Sequence, residues 1–272
     1  MKLTMIATVC LLALNAGGAS AADAPRGYLG ASYGNVNVDA GTAGEADADL
    51  WDLQGLVSLR LGPGVTGELA VDAAQYSGGD AIWSPTGRLF FDVGGSRVGG
   101  FVGGTSSDGF DLTGGGLEGR FNLAPDWRAD TSFGYGSGDV DAWAARGQLR
   151  FFASDNTRLD GYANFVSFDT DFGGLDGWAF GLGGEHLFEG TPVSLFGRLE
   201  HNELNDVDLA SDSLRVGVRW NFGGGTLRDR SMDGQSSPGF AELFGGDLLF
   251  GLASALAMVP GGDGDGGSGG DD

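Results

Sequence analysis

The 272-residue sequence holds 37 acidic and 15 basic residues, a net charge of −22, together with 54 glycines and a single cysteine. So acidic a chain is a poor partner for the phosphates of nucleic acid. With Cys10 as its only thiol it has no disulfide framework and no thiolate metal site, so stability has to come from hydrogen-bonded backbone and packing.

The first element is a leader. Lys2, an apolar run from Leu3 to Leu14 and the small residues Ala19, Ser20 and Ala21 are ordered as in a secretory signal, residues 1–21, with cleavage expected after Ala21 or Ala22. The run is about a dozen residues, short of the ~20 that a spanning helix needs. Cleavage would remove Lys2 and Cys10, leaving 14 arginines (15 − 1) against 37 acids, a net charge of −23, and no thiol.

After the leader no uncharged run reaches the length of a spanning helix, so a membrane role is left to strands. The pattern that recurs has a period of two. From 51 to 61, Trp51, Leu53, Gly55, Val57, Leu59 and Leu61 share one face against Asp52, Gln54, Ser58 and Arg60, with Leu56 as the exception. The segments 97–105 and 175–188 are weaker, with glycines in place of the apolar set, and Gly114-Gly115-Gly116 within 109–122 suggests a bulge. From 127 to 135, Trp127, Ala129, Thr131, Phe133 and Tyr135 oppose Arg128, Asp130, Ser132 and Gly134; from 143 to 151, Trp143, Ala145, Leu149 and Phe151 oppose Ala144, Arg146, Gln148 and Arg150. The cleanest alternation sets Leu214, Val216, Val218, Trp220 and Phe222 against Ser213, Arg215, Gly217, Arg219 and Asn221.

Tight turns are expected at Gly62-Pro63-Gly64, Gly94-Gly95-Ser96, Ala124-Pro125-Asp126, Ser154-Asp155-Asn156 and Glu189-Gly190-Thr191-Pro192. They alternate with looser connections near 37–50, 77–85, 105–109, 136–141, 169–175 and 201–212. Residues 27–222 give 196 positions (222 − 27 + 1), about 16 per strand and connection for twelve strands, enough for ~9–11 residues in the membrane. The predicted fold, over 22–222, is all-β: a closed antiparallel up-and-down transmembrane barrel of about twelve strands, short turns on one side and longer loops on the other. A soluble β-sandwich also alternates, but its outer face should be polar; here tryptophans and leucines share one face and charges the other. Trp51, Trp127, Trp143, Trp178 and Trp220 near strand ends suit interfacial girdles.

Arg215-Val216-Gly217-Val218-Arg219-Trp220-Asn221-Phe222 resembles the signal read by the barrel-assembly machinery, carried by Arg215, Gly217, Trp220 and Phe222. Gly27-Tyr28-Leu29-Gly30-Ala31-Ser32-Tyr33-Gly34 resembles the first strand of many porin-like proteins. The chain is thus similar to the outer-membrane β-barrel superfamily of Gram-negative bacteria, which implies outer-membrane lipid and the assembly machinery as partners. About fifty residues follow Phe222, where such chains usually end.

On the predicted lumen face lie Arg60, Glu68, Asp72, Arg88, Asp92, Glu118, Arg120, Arg128, Asp130, Arg146, Arg150, Arg158, Asp160, Arg198, Glu200, Arg215 and Arg219. Facing rows of guanidinium and carboxylate suit a charged constriction for small solutes, or a salt-bridge network filling a closed barrel, since twelve strands fall between a filled barrel and an open one. Acids crowd the looser connections, where divalent cations are a candidate partner for their oxygens, although no twelve-residue calcium loop is present. His186 beside Glu185, and His201 with Glu203, Asp206 and Asp208 near the outer rim, are the only histidines; a rim hydrolase would need such a His/Asp pair, but no serine motif accompanies it. No cofactor is expected. Residues 223–238 read as a polar linker, 239–259 as an apolar segment open to a short helix and interrupted by Glu242 and Asp247, and 260–272 as a disordered Gly/Asp tail. The tail is left three places: plugging the lumen, lying on the inner leaflet, or binding a periplasmic partner. The functional expectation is a non-enzymatic porin-like channel for small solutes, with a closed structural or surface-interaction barrel as the alternative.

Overall fold

The computed structural model describes residues 24–79, 81–107, 110–170, 173–205, 209–231 and 238–246. The expected leader and the expected Gly/Asp tail lie outside them. Twelve strands follow in chain order: β1 (Arg26–Asp39), β2 (Glu45–Gly62), β3 (Val65–Tyr76), β4 (Ala81–Val93), β5 (Ser96–Ser107), β6 (Phe110–Ala124), β7 (Trp127–Gly138), β8 (Asp141–Ser154), β9 (Thr157–Thr170), β10 (Gly173–Leu187), β11 (Val193–Leu204) and β12 (Leu209–Phe222). Each pairs antiparallel with its sequence neighbours, and β1 closes on β12 through Gly27 opposite Phe222 and Leu29 opposite Trp220. Closure leaves no strand edge with unpaired amides, which is what lets a sheet sit in lipid.

The stagger sets the width. From Asp39 the register runs through Ala210, Glu203, Trp178, Phe165, Ala145, Phe133, Leu117, Gly100, Leu89, Gly67 and Leu59, and returns to β1 opposite position 25, fourteen residues from its start (39 − 25). Twelve strands with that stagger tilt by about 40° and give a backbone radius of roughly 11 Å, wider than side chains from the walls alone fill.

Alternation decides the two faces. Outward go Trp51, Val102, Leu117, Leu182, Leu214 and Trp220, each more than half exposed, with no second layer over them. Aromatic rings on this face run from strand to strand, with Trp143 4.8 Å from Phe165 and Phe165 4.7 Å from Trp178. An apolar belt of this kind has to meet lipid or another apolar phase. The sandwich alternative fails on it.

Two sequence expectations need correction. The connections are short at both mouths: 63–64, 94–95, 125–126, 155–156 and 188–192 at one, 40–44, 77–80, 108–109, 139–140, 171–172 and 205–208 at the other. Most of the stretches expected to be loops are strand, because their Asp, Asn, Ser and Gly residues keep backbone pairing, as in Asn37 opposite both Asp212 and Asp47. Polar composition there marks solvation, not loss of pairing. Nor is there a bulge at Gly114–Gly116; the register shifts fall beside the tight turns, at Arg60/Gly62, Asn122/Ala124 and Phe152/Ser154.

Candidate functional site

All seventeen predicted residues lie on the inner face. In the half nearer the tight turns they form a belt of ion pairs. Arg120 forks onto Glu68 at 2.8 and 2.7 Å with both side chains almost fully buried, and its guanidinium lies 3.9 Å over the Phe90 ring. Arg88 meets Glu118 at 3.2 Å, Arg150 meets Asp130 and, at 3.7 Å, Asp160, and Arg158 meets Asp160 at 3.1 Å. Glu185, absent from the predicted set, holds Arg158 at 2.9 Å and Arg219 at 2.6 Å. Arg215 lies 3.8 Å from Glu200. Arg60 and Asp92 sit at the mouth, 3.7 Å apart, with Arg97 also on Asp92 at 2.7 Å. Asp72 faces inward on β3, with Gly239 against its carboxylate.

Glu185 escaped the sequence reading because β10 places its glycines inside. Trp178, Phe180 and Leu182 face out, while Gly181 faces in, where a Cβ would strike the Tyr162 ring. The same holds in β5 and β7. A Cβ on Gly103 would meet Phe240, and one on Gly134 would meet Phe101, Leu243 and Phe244. Small residues are placed where the bore needs room.

What takes that room is the tail. Within the stretch read as a polar linker, the described residues 224–231 fold across the tight-turn mouth. Arg228 reaches Asp126 at 2.5 Å and Asp155 at 3.0 Å, and Arg230 donates to the carbonyls of Gly27 and Phe222 at 3.1 and 2.7 Å. Leu227, fully buried, packs with Phe152 and Leu187. Asp229 closes a turn by accepting from Thr226 N at 2.9 Å, and that backbone bond holds its carboxyl below the ordinary value. Arg150 and Arg128 bind Ser231 through its carbonyl at 3.0 Å and its hydroxyl at 3.2 Å.

Farther up the lumen, Pro238–Gly246 cross from wall to wall. Arg88 donates to the Pro238 carbonyl. The amides of Phe240 and Ala241 donate to Thr86 and Ser84 on β4 at 3.1 and 2.9 Å. The one-turn helix α1 (Phe240–Leu243) follows. On the opposite side Asn164 of β9 donates to the Leu243 carbonyl at 2.8 Å, while Arg146 of β8 and Arg198 of β11 meet the Glu242 carboxylate at 3.0 and 2.5 Å. Phe240, Leu243 and Phe244 are buried against Phe101, Leu112, Ala142, Ala144, Val166 and Phe168, which line the half of the bore away from the tight turns. Of the three places open to the tail on sequence, the described residues 238–246 lie in the lumen and 224–231 across its mouth. An internal cavity of about 20 Å³ remains between Gln148, Arg158, Tyr162, Phe196 and Arg219, room for about one water.

The histidines sit elsewhere. His201 meets Asp212 at 2.8 Å on the exposed rim, and His186 meets Thr157 at 2.9 Å. Asp206 and Asp208 lie outside the described residues. Rim acids engage singly, Asp49 with the Tyr33 hydroxyl at 2.7 Å and Asp47 with Asn37 at 3.0 Å; among the described residues no three His, Cys, Asp or Glu side chains gather as a metal site. Of the predicted assembly signal, Trp220 and Phe222 face out and Arg215 and Gly217 face in, on the strand that closes the barrel.

No protein-family model matches the chain, and no curated protein matches it. Among solved structures it is similar to an outer membrane channel from Pseudomonas putida F1, with 12% identity and a TM-score of 0.56 over 72% of this chain and 96% of that one. It is also similar to the NanC porin, with 10% identity and a TM-score of 0.54 over 71% of this chain and 100% of that one. Register, lipid-suited belt and these likenesses agree: the chain has the closed twelve-stranded fold of outer-membrane β-barrels.

Proposed function

We propose that the protein is an outer-membrane channel for small solutes whose bore is occupied, in the state described, by its own C-terminal segment. One observation carries the reading. The ion pairs described between strands join neighbours one to three apart around the barrel, such as β3 with β6, β7 with β8 and β10 with β12. A diameter spans six strands. The segment 238–246 is what reaches from β4 to β8, β9 and β11. Withdrawing it leaves the arginines and acids along the walls of a bore that twelve strands hold open.

In this reading the chain is exported by the leader, folded by the barrel-assembly machinery through Arg215–Phe222, and seated in lipid by its belt; the lumenal charges then select the solute. Likeness to a channel and a porin, at 12% and 10% identity, agrees with passive passage. The second reading, a closed structural barrel with a permanently seated tail, is favoured by the cap at the tight-turn mouth, where Leu227 is fully buried against Phe152 and Leu187. Planar-bilayer recording separates them: a refolded chain lacking 223–272 conducts steadily if the channel reading holds. A deletion variant that is folded and inserted yet passes no current overturns it.

A further inference from the structure

The tail does more than fill space: its chemistry is that of a ligand. The Glu242 carboxylate is the acid that Arg146 and Arg198 meet, at 3.0 and 2.5 Å, and it keeps about a quarter of its side chain accessible. Arg146 is buried over the Tyr162 ring at 3.5 Å, and its Nε has no hydrogen-bond partner among the described residues. Glu200, a wall acid 3.8 Å from Arg215, also acts on Arg146 and stays in place when Glu242 is withdrawn. Immediately beyond the carboxylate, Phe240, Leu243 and Phe244 fill an apolar chamber walled by Phe101, Leu112, Ala144, Val166 and Phe168. A carboxylate on a guanidinium floor with an apolar body above it is the shape of an amphipathic organic acid.

When α1 leaves, Arg146 and Arg198 lose that counter-charge inside a low-dielectric wall, which is costly unless another anion takes the place. The stretch of wall formed by Phe101, Leu112, Ala144, Val166 and Phe168 offers water no polar partner, so hydrating it after withdrawal is also costly.

Resting on the channel reading, we infer that this chamber is a binding site for monocarboxylic acids with an apolar or aromatic body, and that Glu242 with its neighbouring rings is a tethered mimic competing for it. Solute and tail then exclude one another, so solute binding favours the unplugged state by mass action.

Calorimetric titration of the full chain with phenylacetate tests this, with 2-phenylethanol (same body, no charge) and acetate (same charge, no body) as comparison probes. Glu242→Gln, which removes the competing charge, should bind phenylacetate at least tenfold more tightly than the unmodified chain. Phe244→Ala, which loosens the plug from its apolar side, should act in the same direction and serves if the first variant does not fold. Adding Arg198→Gln to either should abolish the gain for phenylacetate and leave 2-phenylethanol unchanged. Equal phenylacetate affinity in all variants, or 2-phenylethanol binding as tightly as phenylacetate, overturns the inference. The titration needs no current, so binding without conductance would sink the channel reading alone, and conductance without binding would sink the site alone.

Discussion

Phe244→Ala perturbs the seating of the tail inside its apolar chamber. Phe244 is fully buried, its ring 4.8 Å from that of Phe240, inside the cluster shared with Phe101 and Phe168. Truncating a buried phenylalanine costs about 3 kcal/mol at the low end of the usual range, the end that applies where a neighbouring space can partly collapse. The barrel does not need this contact for its backbone pairing, so the loss falls on the equilibrium between seated and withdrawn tail. About 3 kcal/mol is a shift of roughly 150-fold in that equilibrium. In single-channel records at fixed voltage, a channel mostly closed should therefore open with a probability about two orders of magnitude higher until it saturates. Leu214→Ala, on the lipid-suited face, serves as the control and should leave it unchanged. An unaltered open probability in a folded Phe244→Ala barrel would refute the reasoning.

Other outcomes follow from the same geometry. Glu68→Ala removes the bidentate carboxylate from the buried Arg120 guanidinium and should cost about 3–5 kcal/mol in urea unfolding followed by gel mobility; a cost under 1 kcal/mol would mean water reaches the pair. Gly134→Val places methyl groups where Leu243 and Phe244 pack, so protease should cut the tail of the variant within 238–246 at least tenfold faster, and equal rates would contradict the packing. Asp229, held below its ordinary value mainly by the Thr226 amide, stabilises the cap above its unfolded value near 3.8, and that contribution is lost as pH falls through the lowered folded value. Channel opening should thus rise only below about pH 4 through this group, and should not in Asp229→Asn; the same acid response in that variant would assign it elsewhere.

Much of the fold was readable because lipid and lumen impose opposite polarity on alternate residues. Leu214 to Phe222 show this without exception, and Arg215 and Arg219 were placed inside by phase alone. The phase was lost where glycine carries it: in β10 the inward set is Gly177, Ala179, Gly181 and Gly183, so Glu185 looked like part of a weak strand. The strand extensions beyond the belt were read as loops, since composition reports solvation and says little about pairing. The plug was open among three readings. On sequence Glu242 breaks an apolar run; only the fold, which brings it against β8 and β11, makes it the counter-ion of Arg146 and Arg198. Such long-range pairing leaves no local spacing to detect.

The occupied bore can be tested with a single lock. Ala241 N lies 2.9 Å from the Ser84 hydroxyl, and Cys10, in the expected leader, is the one cysteine of the sequence. A Ser84→Cys, Ala241→Cys variant should form a disulfide between β4 and the tail. The account predicts no conductance in the oxidised protein and conductance restored, repeatedly, by a reductant. Ready cross-linking with full current in the oxidised state would contradict it, as would the failure of two reactive thiols at these positions to cross-link at all.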